Sequence, residues 1–150
     1  MHIFALFAFL IVVLGIGSLI GLAVRPDPWY GTLDKPPFTP PDWVFAPVWT
    51  ALYVMIAIAG WRTWMRDGWR SRAMTLWLMQ MALNFAWTPM FFGAHVPSAA
   101  LIVIVVLLIA IVGFIFASWP RDRIAAALFV PYAAWVAFAC ALNAAIVVLN

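Results

Sequence analysis

The sequence predicts an all-α integral membrane protein, a bundle of five transmembrane helices with a long Pro- and Trp-rich first loop. Three observations support this fold class. Hydrophobic residues make up 68% of the 150 residues, charged residues make up 9%, and the mean hydropathy is +1.08. A water-soluble domain carries about 25% charged residues, so this chain has too little polar surface to stay dissolved. The charges also separate long uncharged stretches from one another.

The uncharged stretches define the predicted spans. The third stretch, residues 73–120, is too long for one crossing of about 20 residues, and His95-Val96-Pro97 supplies a break within it. The first stretch lacks a basic segment before it and a small-residue cleavage site after it, so we interpret it as a mature helix rather than a signal peptide. The predicted spans, all in one domain of residues 1–150, are about 3–24, 43–61, 73–94, 98–119 and 124–148.

Residues 25–42, the lid loop, contain six of the eleven prolines. Proline fixes φ and has no backbone N–H, so this segment suits neither an ordinary helix nor a central strand. We predict a stiff, partly extended loop whose aromatic side chains cover a ligand site near one membrane face. The predicted lid residues are Trp29, Tyr30, Pro36, Phe38, Pro40, Pro41 and, just after the loop, Trp43.

The arginines predict the topology. With five crossings, the N-terminus and the loops 62–72 and 119–123 share one side, which carries six arginines, whereas the other side carries only Arg25 and Lys35. The positive-inside rule then places the N-terminus in the cytoplasm and the lid loop outside, provided that the host membrane is an inner membrane. The basic residues therefore indicate topology, and no nucleic-acid partner is predicted.

Small residues recur at a spacing of four and predict close helix packing in lipid. This packing could be intramolecular, or it could form a homodimer, for which Ala82 and Ala86 in the third span are the candidate face. The other pairs and rows are Gly17 and Gly21, Gly113 and Ala117, and Ala133, Ala137, Ala141 and Ala145.

Prolines interrupt the predicted spans 2, 3 and 5, and a tryptophan lies near each of them. The pairs are Pro47 with Trp49, Pro89 with Trp87, and Pro131 with Trp135. A proline inside a helix leaves a carbonyl without its hydrogen bond, which either bends the helix or frees a group for function. The three tryptophans are accordingly either core residues or the walls of a ligand cage.

Polar side chains accompany these tryptophans. Gln80, Asn84 and Trp87 share one helix face at spacings of four and three, and Tyr53 lies one turn after Trp49. A second face, on the fifth span, is formed by Trp135, Ala139, Leu142 and Asn143. Buried amides either pair between helices or orient a ligand, since apolar walls with a few convergent polar groups are typical of small-molecule pockets.

Several functions are disfavoured by what the spans lack. No Asp, Glu, Lys or Arg lies inside a predicted span, which argues against coupling to protons or sodium. His2 and His95 have no second ligand at metal-binding spacing, so no metal site is predicted. The single cysteine, Cys140, excludes an intrachain disulfide. No Ser-His-Asp arrangement or phosphate loop is present, which makes conventional hydrolytic or redox catalysis a poor fit.

Three stretches of the chain resemble the translocator protein family, also known as the TspO/MBR, tryptophan-rich sensory protein or peripheral-type benzodiazepine receptor group. The stretches are WYGTLDKPPFTPPDWVFAPVWTALY, QMALNFAWTPMFFGA and LFVPYAAWVAFACALN. The resemblance covers essentially the whole chain, and the order of the motifs, the five spans and the long first loop agree with it. It indicates a bacterial member in a bacterial cell membrane, either inner or outer.

The resemblance implies a five-helix bundle, usually dimeric, that binds tetrapyrroles such as protoporphyrin IX and haem, and drugs of the benzodiazepine and isoquinoline-carboxamide types. Porphyrin or haem is then a ligand, and no intrinsic cofactor is expected. Bacterial relatives are linked to tetrapyrrole regulation and stress sensing. Some members are reported to degrade porphyrin in light, in a reaction that depends on tryptophans.

The resemblance also implies site residues. It assigns the light reaction to Trp49 and Trp135, and it assigns to Ala139 the position where an alanine-to-threonine change alters ligand binding. The implied ligand-binding positions are Trp49, Asn84, Trp87, Trp135, Ala139, Leu142, Phe45, Ala46, Ser18 and Leu22, to which the residue pattern itself adds Tyr53. The chain ends in LNAAIVVLN, without the Tyr and Lys or Arg of the proposed sterol motif. It also has Phe38 where many members have Trp.

Three hypotheses follow. The first, which we favour, is a membrane receptor, sensor or translocator in which Trp49, Trp87 and Trp135 wall a tetrapyrrole beneath the lid loop and Asn84 orients its polar edge. The second is a light-dependent porphyrin-degrading enzyme that uses Trp49 and Trp135. The third is a structural or lipid-sorting bundle without selective affinity for porphyrin. The first is preferred because no general acid, base or cofactor motif supports efficient catalysis.

Overall fold

The structure, a computed structural model that describes residues 2–150, consists of α-helices, with no strand in this part of the chain. A turn of 3₁₀-helix, Asp42–Val44, precedes the third helix, and a π-helical turn, Pro89–Gly93, follows the fourth. The helices are α1 (His2–Ala23), α2 (Pro28–Thr32), α3 (Phe45–Asp67), α4 (Arg72–Thr88), α5 (Pro97–Ser118) and α6 (Arg123–Leu149). The predicted all-α fold is confirmed.

Four helical segments are long and apolar enough to cross a membrane: α1, α3 together with its 3₁₀ turn, α5 and α6. The protein is therefore a multi-pass integral membrane protein. The third predicted span, residues 73–94, is not confirmed by this measure, because α4 contains only 17 residues. It passes directly into the π-helical turn, which continues to Gly93, so five crossings stay a prediction.

The third helix extends further than the sequence predicted. The predicted end at residue 61 is wrong, since α3 continues to Asp67 and ends where Gly68 adopts a φ of +72°. The charges of Arg62 and Arg66 mark the end of the uncharged stretch, but a charged side chain does not end a helix. The helix ends only where the backbone turns into a conformation that favours glycine.

The lid loop is not one continuous loop. Residues Pro28–Thr32 form the short helix α2, which the proline content had argued against. Pro28 begins this helix, where the missing N–H removes no hydrogen bond. Asp27 caps it, because its Oδ1 accepts a hydrogen bond from the backbone N–H of Trp29 at 3.0 Å.

The three prolines have different effects on their helices. Pro47 lies in the first turn of α3. A proline at that position removes no intrahelical hydrogen bond, so Pro47 does not interrupt the interior of the helix. Pro89 ends α4 and begins the π-helical turn. Pro131 alone lies inside a helix, α6.

The helices pack in the order α1, α3, α6, α5 and α4, and α4 also touches both α3 and α1. Ion pairs at one end join Arg62 to Asp122 and Arg121 to Asp67. They link the end of α3 to residues 119–123, and the sequence predicted both on the same side. His2 lies at this end too, because its carbonyl accepts a hydrogen bond from the indole of Trp61 at 3.1 Å.

Glycine permits two close approaches between helices. A Cβ atom on Gly17 would lie 2.4 Å from the ring of Tyr53, and one on Gly60 would lie 2.3 Å from the indole of Trp77. Gly21, the predicted partner of Gly17 in a packing ridge, has open space around it. Gly17 therefore allows Tyr53 to lie against α1, which places its hydroxyl towards the bundle centre.

Candidate ligand site

A chain of hydrogen bonds crosses the centre of the bundle. The hydroxyl of Tyr53 donates to Asn84 Oδ1 at 3.0 Å, and Asn84 Nδ2 donates to the hydroxyl of Tyr132 at 2.8 Å. The Tyr132 hydroxyl donates in turn to Gln80 Oε1 at 2.9 Å, and Gln80 Nε2 donates to the carbonyl of Trp77 at 2.9 Å. Side chains from α3, α4 and α6 thus satisfy one another in a buried setting, which stabilises the bundle.

This network bears on the expected role of Asn84. Its side chain is buried, and both its oxygen and its nitrogen already have partners. Of the two roles that the sequence left open for these amides, pairing between helices is the one that the geometry displays for Gln80 and Asn84. A ligand would have to share or replace one of these contacts to be oriented by Asn84.

An aromatic cluster lies beside the network, between α3 and α6. Phe45 and Trp49 follow each other by one turn on α3, and the ring of Phe45 meets that of Trp135 edge-on, with centroids 5.8 Å apart. Trp49 contacts Tyr53 at 5.4 Å and Tyr132 at 6.4 Å between ring centroids. The structure thus brings four predicted site residues, Phe45, Trp49, Tyr53 and Trp135, around the buried Tyr132.

One polar atom in this cluster has no partner. The indole Nε1 of Trp135 is buried, and among the described residues no hydrogen-bond acceptor reaches it. Leaving a buried donor unpaired costs about 1–3 kcal/mol, so such groups are uncommon and call for an explanation. The indole of Trp87, by contrast, donates to Asn143 Oδ1 at 3.1 Å.

Trp87 belongs to a second aromatic cluster and not to a single cage with the other two tryptophans. Its ring stacks on Phe91 at 5.2 Å and meets Phe92 edge-on at 6.0 Å. Within residues 2–150, its ring pairs with neither Trp49 nor Trp135. The three predicted tryptophans therefore do not form one continuous set of ring contacts, because Trp87 pairs with Phe91 and Phe92 instead.

Asn143 also pairs between helices, but with partners that the sequence did not reveal. It was grouped with the Trp135 face of the fifth span, whereas its amide holds Trp87 through Oδ1 and donates through Nδ2 to the carbonyl of Pro97 at 2.9 Å. It thereby joins α6 to the ends of α4 and α5. The sequence could not identify Trp87 and Pro97 as its partners, because both lie about fifty residues away along the chain.

The lid loop is attached to both clusters. Trp29 packs edge-on against Phe91 at 6.1 Å, and Tyr30 does the same against Phe92 at 5.2 Å. Phe38 approaches Phe138 of α6 at 6.3 Å, and Phe138 lies 5.7 Å from Trp135. Ring contacts thus join the lid loop to both aromatic clusters, while its role as the cover of a ligand site stays a prediction.

Hydrogen bonds fix the lid loop at two further points. The side chain of Asn150 accepts from the backbone N–H of Asp34 at 2.9 Å and donates to its carbonyl at 3.0 Å. His95 stacks on Trp29 with centroids 4.3 Å apart, and its Nε2 lies 3.0 Å from Asp27 Oδ2. The sequence indicated His95 only as a helix break without a second metal ligand at binding spacing, and gave no sign of this contact.

Tyr30 lies in a partly buried part of the lid loop. Burial raises the pKa of its phenol, and the negative charge of Asp42 raises this pKa further. The ammonium group of Lys35 sits over the ring, 4.5 Å from its centroid. Tyr30 therefore remains a neutral phenol at physiological pH.

The remaining predicted site residues differ in exposure. Ser18 and Leu22 are exposed on α1, where Ser18 lines a shallow open groove of about 400 Å³ on the outer surface of that helix. Ala46 is exposed, Ala139 is half-buried and Leu142 is buried.

The predicted lid residues also differ in exposure. Pro36 is buried, Pro40 is half-buried and Pro41 is exposed, while Trp43 is 74% exposed.

Comparisons with known proteins agree with the motif resemblance. The TspO/MBR family model matches residues 7–149. The tryptophan-rich protein TspO of Archaeoglobus fulgidus is 39% identical, with 100% of this chain and 99% of the relative covered. The tryptophan-rich sensory protein of Cereibacter sphaeroides is 36% identical, covering 93% and 87%, respectively. The human translocator protein is 37% identical, covering 77% of this chain and 70% of its own length.

Proposed function

The chain belongs to the TspO/MBR family, and we propose that it is a membrane sensor or translocator whose ligands are tetrapyrroles. Protoporphyrin IX and haem are the proposed natural class, and benzodiazepine- or isoquinoline-carboxamide-type molecules are further hydrophobic ligands. The names of its relatives support the sensor and translocator roles. The proposed site is the aromatic cluster around Trp49 and Trp135, beneath the lid loop.

The indole N–H of Trp135, which has no acceptor in the part of the chain that the structure describes, carries this proposal. It is a buried donor surrounded by aromatic rings, and a ligand carboxylate or carbonyl would supply the missing acceptor. A tetrapyrrole combines a planar apolar macrocycle with carboxylate side chains, so one molecule could satisfy both the ring surfaces and the free donor. Few polar groups within apolar walls are typical of sites for such ligands.

The test is quenching of tryptophan fluorescence by protoporphyrin IX in detergent, in the dark, for the wild type and Trp135→Phe. We expect saturable quenching by the wild type and an affinity about 10- to 100-fold weaker for Trp135→Phe, because a hydrogen bond to a charged group is lost. Trp119→Phe is the matched control, since Trp119 is 49% exposed and lies at the opposite end of the molecule from the lid loop. Affinities come from the concentration dependence, so the loss of one fluorophore does not bias them.

Linear quenching that is the same in all three proteins would mean that porphyrin only partitions into the micelle. That result would contradict the proposed site and would favour the third hypothesis, a structural bundle without selective affinity.

A second candidate function is light-dependent porphyrin degradation. It is favoured by the contacts of Trp49 with two tyrosines, Tyr53 and Tyr132, because a chain of oxidisable rings could pass an electron to or from photoexcited porphyrin bound at Trp135. Illumination of the same samples tests it. Loss of the porphyrin absorbance that is abolished in Trp49→Phe, with dark affinity retained, would support the enzyme over the receptor.

The finer topology is also part of the proposal. We place five crossings in the membrane, with α4 and its π-helical turn as the third, and the N-terminus in the cytoplasm. Ala82 and Ala86 are exposed on α4 and remain our candidate face for a homodimer. Disulfide crosslinking of Ala82→Cys in membranes, with the exposed Ala134→Cys on α6 as control, would test this face, and equal crosslinking of both would reject it.

A further inference from the structure

The two ends of the molecule carry very different charge. The end that holds the loops 62–72 and 119–123 has six arginines and two aspartates, a formal +4. The end with the lid loop has Arg25 and Lys35 against three aspartates, a formal −1, and together the two ends give the +3 of the chain. The excess positive charge is therefore confined to one end.

Half of these arginines are already occupied inside the molecule. Arg62 makes two hydrogen bonds to the carboxylate of Asp122, at 2.9 and 3.1 Å, and Arg121 pairs with Asp67 at 3.0 Å. The guanidinium of Arg123 lies 5.9 Å from the centre of the Trp119 ring. Both aspartates at this end are thus used, and neither can neutralise a further arginine.

The other three arginines at this end lie close together in the sequence, where α3 is followed by α4. Arg66, Arg70 and Arg72 are exposed, and within residues 2–150 their side chains have no ion pair or hydrogen bond. The segment from Arg66 to Arg72 joins α3 to α4, so the three charges are close neighbours.

The turn that carries them is held in place. Ser71 Oγ donates to the carbonyl of Gly68 at 3.2 Å and accepts from the backbone N–H of Met74 at 3.1 Å. The ring of Trp69 stacks on Phe9 of α1, with centroids 6.0 Å apart and an interplanar angle of 12°. A fixed backbone lowers the conformational entropy that a partner must overcome on binding.

We propose that the Arg66–Arg72 turn, with the exposed face of Trp69, is a binding surface for the headgroups of anionic phospholipids. Guanidinium groups bind phosphate oxygens in bidentate geometry. Trp69 is 55% exposed and Trp119, at the same end, is 49% exposed. Exposed indoles beside arginines at the ends of apolar helices are typical of the headgroup level of a bilayer, which favours a lipid phosphate over a soluble one.

The test compares lipid binding to the purified full-length protein by native mass spectrometry, with phosphatidylglycerol and phosphatidylcholine as probes. The variant is the triple change Arg66→Gln, Arg70→Gln and Arg72→Gln, and the matched control is Arg25→Gln with Lys35→Gln at the other end. We expect phosphatidylglycerol to bind the wild type and the control alike. Its affinity should fall by about fivefold for each arginine removed, while phosphatidylcholine binding stays unchanged.

Two results would overturn the proposal. One is equal phosphatidylglycerol binding by the wild type and the triple variant. The other is full displacement of phosphatidylglycerol by millimolar inorganic phosphate, because the turn would then be a general anion site without preference for lipid. The same variants, heated in phosphatidylcholine vesicles with and without 30% phosphatidylglycerol, give an independent readout. The wild type and the control, but not the triple variant, should gain less stability from the anionic lipid at 0.5 M NaCl than at low salt, since salt screens exposed charges.

Discussion

His95 Nε2 lies 3.0 Å from Asp27 Oδ2, and this contact joins the turn before α5 to the turn before α2. His95 has a φ of +57°, a left-handed conformation that is uncommon for residues other than glycine. The ring of His95 stacks on that of Trp29. Trp29 also contacts Phe91, and Phe91 stacks on Trp87. Through Trp29, the lid loop is therefore connected to the second aromatic cluster.

The first prediction concerns this contact. Asp27→Asn should weaken the contact to His95 but keep the cap of α2, because asparagine is also a good N-cap. We expect amide hydrogen exchange in residues 28–32 to become a few fold faster, since an exposed pair contributes less than about 1 kcal/mol. His95→Ala should have a larger effect, because it also removes the stacking on Trp29. Unchanged exchange in both variants would show that the lid loop is held by its other contacts.

The second prediction concerns the central polar network. Tyr132→Phe removes the hydroxyl that joins Asn84 to Gln80 and leaves two buried amide groups each short of a partner. The free energy of unfolding should fall by about 1–3 kcal/mol for each group left unpaired. Tyr53→Phe removes only one donor, so thermal unfolding in detergent should show a smaller loss. Equal losses would indicate that the network does not act as a connected chain.

The third prediction concerns helix packing at Gly17. Gly17→Ala would place a Cβ atom 2.4 Å from the Tyr53 ring, so either α1 or the ring must shift, at a cost of about 1–3 kcal/mol. The control is Gly21→Ala in the same helix, where no atom lies within 4 Å and alanine has the better helix propensity. A lower unfolding temperature for Gly17→Ala than for Gly21→Ala is expected, and the reverse order would contradict the packing.

The fourth prediction concerns pH. Burial opposes the ionisation of Asp122, but its hydrogen bonds from Arg62 and from the backbone N–H of Ala125 outweigh this effect, so the pKa of Asp122 lies below its usual range. A carboxyl group with a lowered folded-state pKa stabilises the protein above its unfolded pKa of about 3.9 and loses that stabilisation as the pH falls through the folded-state value.

Asp122→Asn tests this linkage. The variant should be less stable than the wild type at neutral pH, and the difference between the two should shrink as the pH is lowered below about 4. Thermal unfolding from pH 3 to 7 measures it. A stability difference that does not change with pH would show that Asp122 acts only as a cap of α6 and not through its charge.

Several features could be predicted from the sequence because they depend on neighbours in the chain. The boundaries of α1, α5 and α6 agree with the predictions to within a residue or two, since long uncharged stretches leave no other structure for the backbone in lipid. The end of α3 and the helix α2 were missed. Each depends on a local exception: charged residues that stay helical, and a proline that begins a helix.

The sequence by itself determined that the protein is an all-helical, multi-pass membrane protein with aromatic residues along specific helix faces, because hydropathy and helical spacing are properties of local segments. Only the tertiary structure decided which polar groups are satisfied. Asn84 gained partners from α3 and α6, Trp87 was held by Asn143, and the indole N–H of Trp135 found no acceptor among residues 2–150. These outcomes depend on contacts between residues distant in sequence, and the approach of one helix to another sets them.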